Sequence, residues 1–170
     1  VPSGLISVGS GQTVSWTKTG NIPNVNLYYK VGAEADVAIT TSFAGTSVTW
    51  TVPEGAMGTS VTLKVKDADG THPLTEDISA AFQVKGNITV TDPAALLTVG
   101  TSETLAWTKT AAIATVDLFY STDGSTWTTI TTGVAGTTYA WTPLAAAIGN
   151  SVRVRVKDAD TAHALTQSDS

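Results

Sequence analysis

The chain carries an internal duplication, and this constrains its fold more than any other feature. Ser15-Trp16-Thr17-Lys18-Thr19 returns as Ala106-Trp107-Thr108-Lys109-Thr110, and the offset of 91 residues (107 against 16) holds at every later landmark. Val25, Leu27 and Tyr29 meet Val116, Leu118 and Tyr120. Trp50 meets Trp141, Lys66-Asp67-Ala68-Asp69 meets Lys157-Asp158-Ala159-Asp160, and His72 meets His163. Roughly two in five of the overlapping positions are identical without a gap, which unrelated segments do not reach. A unit repeating at this spacing must close its own core, so the expectation is two domains, 1–86 and 87–170.

Within each copy the apolar period is two. Residues 5–8, 13–17, 25–29, 37–40, 47–52, 61–65 and 82–84 alternate or run apolar between clusters of Gly, Pro, Asn and Asp, the pattern of half-buried strands separated by turns. Seven short strands in a unit of this size is the spacing of a sandwich. The predicted fold class is therefore all-β, with two tandem immunoglobulin-like antiparallel sandwiches. Trp16, Trp50, Trp107 and Trp141 fall at inward-compatible strand positions and are expected to anchor the cores. With 42% hydrophobic and 14% charged residues, the chain has the apolar material such cores need.

The ends of the repeat are informative. In the first copy Ser79 is followed by a strand pattern at Phe82-Gln83-Val84, and the second copy opens with another at Ile88-Thr89-Val90-Thr91. The second copy has no counterpart of Phe82-Gln83-Val84, so its closing strand is missing, and the first has no counterpart of Ile88-Thr89-Val90. A continuous array of period 91, cut at both ends, accounts for this. The alternative is that neighbouring chains supply strands to the open edges. The opening Val1-Pro2-Ser3-Gly4 reads as neither a signal peptide nor an initiating Met.

The run Trp50-Thr51-Val52-Pro53, the strand Val61-Thr62-Leu63-Lys64-Val65-Lys66-Asp67 and the closing Ser79-Ala80-Ala81-Phe82-Gln83-Val84 resemble the Ig-like or fibronectin-III-like repeats of bacterial and archaeal secreted and cell-surface proteins. They are also similar to the Kre9/Knh1-type module of yeast cell-wall proteins. The second copy departs from the pattern at Trp141-Thr142-Pro143. The resemblance implies an extracellular or cell-surface spacer, adhesin, S-layer or filament repeat. It is poorly specific for activity, because such sandwiches host many functions.

The net charge of −5 repels polyanions, so nucleic acid is not an expected partner. The absence of cysteine removes disulfides, thiolate catalysis and Cys-ligated zinc. No apolar run reaches the length that crosses a bilayer, so membrane insertion is not expected of these residues.

Asp67, Asp69, Asp158 and Asp160 place paired carboxylates just after a strand in each copy. A hard cation such as Ca²⁺ wants six to eight oxygens, and these supply part of a set that Glu76 and Asp77 extend in the first copy only. The readings are a structural calcium site or a solvated turn in which Asp caps nearby amides. His72 and His163 lie near acidic residues, but no nucleophile elbow, His-Glu-x-x-His or phosphate-cradling loop accompanies them; a loop role is expected, with no catalytic residue and no enzyme activity. Ser121-Thr122-Asp123-Gly124-Ser125-Thr126-Trp127 is similar to the Asp-box hairpin of sialidase-like propellers, one residue short, and offers Trp127 as a ligand-contact residue. Arg153, Arg155 and Lys157 alternate with valines and form either a solvated face or a basic stripe for anionic glycans.

The expected function is a structural repeat of an extracellular surface protein, S-layer or filament. It acts by self-association or as a semi-rigid spacer, and its partners are other copies or neighbouring repeats. The alternatives are an adhesin-type module binding carbohydrate or protein, with cell-surface glycans as partners, and an accessory module of a secreted hydrolase.

Overall fold

The computed structural model describes residues 2–93 and 96–170; Val1 of the opening tetrapeptide and the Ala94-Ala95 pair lie outside the described residues. The chain divides into two compact units, Val1–Lys85 and Gly86–Ser170.

Unit 1 contains β1 (Leu5–Ser7), β2 (Gly11–Ser15), β3 (Val25–Val31), β4 (Val37–Phe43), β5 (Ser47–Thr51), β6 (Gly58–Asp67), β7 (Glu76–Ile78) and β8 (Phe82–Lys85). The larger sheet has the order β1-β8-β6-β3-β4, with β7 also on β6, and β2 pairs with β5 in the other layer. All pairs are antiparallel except β1 with β8, which run parallel with Ile6 opposite Val84. Alternation sets the layers: Val25, Leu27 and Tyr29 on β3 and Val61 and Leu63 on β6 turn inward against Val14 and Trp50. The Trp50 ring lies 5.6 Å from Tyr29 and takes Phe82 on edge at 6.3 Å. Phe82 and Val84, both buried, close this core, and each adds about 1.5–3 kcal/mol of apolar burial.

Unit 2 contains β9 (Ile88–Thr91), β10 (Glu103–Lys109), β11 (Val116–Ser121), β12 (Thr128–Val134), β13 (Thr138–Trp141), β14 (Arg153–Asp158) and β15 (Gln167–Asp169). Its layers are β13-β10-β9 and β12-β11-β14-β15. Leu105, Trp107 and Trp141 face Val116, Leu118, Val154 and Val156 across the core, and Trp141 stacks on Tyr120 at 5.5 Å. Each unit is thus a two-layer β-sandwich, and the fold class read from the pattern of strands is the one observed.

The copies share irregularities as well as strands. Register shifts interrupt β3/β4 between Val25 and Tyr28, and β11/β12 between Val116 and Phe119. The bulge is tied from the side in both: the Ser42 amide donates to Asn26 Oδ1, and the Gly133 amide donates to Asp117 Oδ1, each at 2.9 Å. The bulged residue has positive φ, +70° at Gly133 and +50° at Ser42, which is the one non-glycine residue in that region among those described.

Strand length separates the copies. β10 runs to Lys109, while its counterpart β2 stops at Ser15, three residues sooner; β6 starts at Gly58, while β14 starts at Arg153, four positions later in the repeat.

Candidate functional site

The repeated Asp-His loops come first. Asp67 and Asp158 end their strands almost fully buried, and a buried carboxylate must be hydrogen-bonded to be tolerated. Asp158 Oδ1 accepts from the Asp160 amide at 3.0 Å, and Oδ2 meets His163 Nδ1 at 2.9 Å. Asp67 Oδ1 accepts from the Asp69 amide at 2.9 Å, and its Oδ2 lies 3.3 Å from His72 Nδ1. Asp69 and Asp160 cap in turn the amides of Thr71 and Ala162, both at 2.9 Å. The Thr71 N–H holds the Asp69 carboxyl below its usual range. The four aspartates singled out for a cation therefore spend oxygens on loop amides and on histidine. No group of three or more His, Asp or Glu that could hold a metal is found among the described residues. Glu76 and Asp77 stand on β7, an exposed edge strand.

The Asp-box-like hairpin is a hydrogen-bonded turn. Gly124 takes φ +75°, which only glycine adopts without steric cost. Asp123 Oδ1 accepts from the amides of Ser125 (2.8 Å) and Thr126 (2.7 Å) and from the Ser121 hydroxyl (2.9 Å). These donors stabilise the ionised form and hold the Asp123 carboxyl far below the usual carboxylate range. Trp127 is half-buried, and the Arg155 guanidinium sits over its ring 3.8 Å from the centroid. Arg155 is itself clamped by Asp169 through two bonds of 2.6 and 2.8 Å, which raise its pKa. One face of the candidate contact residue is thus covered from within the chain, and the middle cation of the alternating stripe is neutralised.

Two features escaped the sequence reading. Lys109 Nζ donates to the carbonyls of Ile113, Ala114 and Ala135 at 2.7–3.0 Å, and Lys18 Nζ donates to those of Pro23 and Ala44 at 3.0 and 2.7 Å. The lysine of the repeated Trp-Thr-Lys-Thr motif is therefore a clip between loops, and its retention in both copies was the available signal.

The second feature is a pair of open clefts, visible when equivalent residues are compared. Trp107, Ile113 and Val156 are 3%, 1% and 0% exposed, whereas Trp16, Ile22 and Val65 are only half-buried. Three of the four tryptophans expected in the cores are there; Trp16 is the exception. In unit 2, β9 pairs with residues 106–109, setting Val90 opposite Trp107, and packs on β14 and β15. In unit 1 the corresponding side chains line a cleft of about 750 Å³. The Trp16 Nε1 is enclosed without a hydrogen-bond partner, so what Trp16 presents to the cleft is ring carbon. Thr166 is fully buried and its Oγ1 accepts from the Gly86 amide at 2.9 Å; its equivalent Thr75 is exposed at the cleft wall.

The reverse holds at the other edge. In unit 1, β8 lies against β6, with Val84 opposite Gly58 and Phe82 opposite Val61. In unit 2, residues 149–152 have no such strand neighbour among the described residues. A cleft of about 500 Å³ opens beside them, lined by Leu96, Val99, Trp141, Ile148 and Val152. Ile148 is 71% exposed where its equivalent Met57 is 6% exposed, and Val99 is 44% exposed where Val8 is 9%.

No protein-family model matches the chain, and no curated protein sequence matches it. Solved structures do. A two-domain fibronectin type-III segment of chicken tenascin is 16% identical, with a TM-score of 0.56 over 88% of this chain and 82% of that one. The fibronectin(III)-like modules of Clostridium thermocellum CbhA are 18% identical over 99% and 87% of the two chains (TM-score 0.33), and the ICAM-5 D1–D4 ectodomain fragment is 16% identical over 100% and 50% (TM-score 0.40). The likeness to the tenascin segment, at this identity, concerns the fold: the chain is two tandem sandwiches of the fibronectin type-III and immunoglobulin-like class.

Proposed function

We propose that this chain is a non-catalytic structural repeat of an extracellular or cell-surface protein, of the kind that forms surface layers or filaments in bacteria and archaea, and that its partners are other copies or neighbouring repeats. The observation that carries this reading is what the two copies have in common. They keep the Trp50/Trp141 core, the Lys18/Lys109 clip, the tied bulge and the capped Asp-His loop, all of which serve to hold a sandwich together. The hairpin after β3 and β11, where a ligand-binding module would retain its contacts, differs completely between them. Only Gly86 and Asn87, the first residues of unit 2, separate β8 from β9. A connection of two residues is shorter than the long flexible linker of a tether, and this length is what the spacer reading expects.

The adhesin reading has less support, because Arg155 covers a face of Trp127. The test is immunogold labelling of intact producing cells. Regular labelling of the surface is expected; labelling that appears only after lysis overturns the proposal.

A further inference from the structure

We propose that β5 of unit 1 is a self-pairing edge, through which two copies of this chain join by antiparallel strand addition about a two-fold axis at Thr49. The occupant is a second copy, and the contact continues the β2-β5 layer of one molecule into that of the other.

Charge is what isolates this edge. The chain has 9 Lys and Arg and 14 Asp and Glu, yet none falls between Asp36 and Glu54, the run that holds β4 and β5. Proteins protect edge strands with charge, proline or a bulge. β7 carries Glu76 and Asp77, and β4 is twice out of register with β3 through bulges. β5 has neither device within it: its pairing with β2, from Gly11 opposite Thr51 to Ser15 opposite Ser47, runs without a register shift, and no described strand lies beyond it.

The ladder to β2 decides which backbone groups face outward. The Trp16 amide donates to the Thr46 carbonyl and the Val52 amide donates to the Ser10 carbonyl. Even-numbered residues of this run therefore bond to β2, and Ser47, Thr49 and Thr51 turn N–H and C=O to the open side. Antiparallel pairing with the same strand of a second copy, centred on Thr49, sets Thr49 opposite Thr49, Ser47 opposite Thr51 and Val48 opposite Trp50. The side-chain faces match in this register. Ser47, Thr49 and Thr51 are exposed on one face, while Val48 is half-buried and Trp50 buried on the other, so hydroxyls meet hydroxyls and apolar groups meet apolar groups. A slip of one residue would set the two kinds against each other, which specifies the register.

Beside the edge, a groove of about 410 Å³ is lined by Tyr29, Val37, Ile39, Val48, Trp50 and Pro53, and Val48 of the second copy faces it. Copies that each carry a net charge of −5 repel one another, and a charge-free edge is where they meet without juxtaposing like charges. In unit 2 the equivalent β13 has Ala140 in place of Thr49, which removes the central hydroxyl pair, so the assignment is to β5. The contact is isologous and closes as a dimer; between arrays of repeats, many such weak contacts add. It names a contact for the repeat reading and rests on that reading for the partner's being another copy.

Five residues make a small interface, so a Kd of about 0.1–1 mM is expected. The test is sedimentation equilibrium of the 170-residue chain over a concentration series spanning that range, with amide shifts recorded alongside. The mass should rise toward that of a dimer, with the amides of 47–51 shifting and those of 138–141 unmoved. Thr49→Lys and Thr49→Glu each set like charges across the axis and should weaken the dimer about tenfold or more, whereas an equal mixture of the two should restore it. Ala140→Lys, a cation at the equivalent place in unit 2, should leave the dimer intact. A chain that stays monomeric through about 1 mM, a Thr49→Lys chain that associates as the parent does, a mixture that stays dissociated or an Ala140→Lys chain that loses the dimer overturns the proposal. These measurements do not depend on where the protein resides, so a surface-labelling failure and a pairing failure are separable.

Discussion

Val156→Ala and Val65→Ala remove the same two methyl groups from the same position of equivalent strands, so the loss of strand propensity cancels between them. What differs is the cover. Val156 is fully buried under β9, whereas Val65 is half-buried in the wall of the open cleft. At about 0.8 kcal/mol per methyl the transfer cost at Val156 is about 1.6 kcal/mol, and the enclosed cavity adds about 1 kcal/mol, for a loss of about 2.5 kcal/mol. At Val65 about half the transfer cost applies, and the space left opens to solvent, so about 0.8 kcal/mol is expected. A unit of this size shifts its melting temperature by about 4–8 °C per kcal/mol. Unit 2 should therefore melt about 10–20 °C lower with Val156→Ala, and unit 1 about 3–6 °C lower with Val65→Ala. Thermal unfolding read from the amide cross-peaks of each unit separates the two. With residues 86–91 fused ahead of Val1, the cost of Val65→Ala should rise to that of Val156→Ala. Equal costs in the unfused chain, or a fused chain in which Val65→Ala stays cheap while exchange at 16–18 is protected, would refute the argument from coverage.

Asp123 has a folded pKa depressed below its unfolded value of 3.8. The stability it contributes is thus present above the unfolded value and lost as pH falls through the folded one; its carboxyl ¹³C shift should stay flat through the usual Asp titration near 3.8, and a midpoint there would contradict the turn geometry. Arg155→Ala uncovers Trp127 and should increase acrylamide quenching of tryptophan fluorescence, whereas unchanged quenching would show that the guanidinium does not shield the ring. Asp158→Ala leaves the Asp160 amide and His163 without their acceptor and should cost unit 2 about 1–3 kcal/mol, while a chelator should leave both melting temperatures unchanged because the loop amides already occupy the carboxylates. Ser42→Gly relieves a left-handed conformation that unit 2 gives to glycine, and should stabilise unit 1 by a few tenths to about 1 kcal/mol; a destabilised variant would show that the Ser42 side chain is needed.

The sandwich was legible because its information is local and doubled. Strand alternation at Val25-Leu27-Tyr29 and Val61-Leu63-Val65 states which side faces in, and the second copy repeats the statement with different neighbours. The Asp-His loop was half legible. Spacing placed the carboxylates together, but whether their oxygens meet a cation or an amide depends on backbone direction, which residue type does not encode. The short strand β7 was missed because Glu76-Asp77-Ile78 has no apolar alternation: it is held by main-chain pairing to β6 and buries no face. Trp127 could be recognised as an outlier of the hairpin, but the cation above it comes from β14, far off in the chain.

The clefts show why duplication tells more than either copy by itself. Trp16 and Trp107 lie in the same motif, and no propensity or periodicity distinguishes them; the difference is the cover that β9 gives Trp107, with Val90 opposite it. Burial in a sandwich is a property of the sheet's neighbours, so the same tryptophan is core in one unit and cleft wall in the other. An exposed apolar edge of this kind is a liability that proteins blunt with charge, proline or a covering segment. Both clefts combine the two kinds of residue: Trp16, Ile22 and Val65 stand beside Lys18, Glu76 and Asp77 in one, and Val99, Ile148 and Val152 stand beside Asp92, Pro93 and Pro143 in the other.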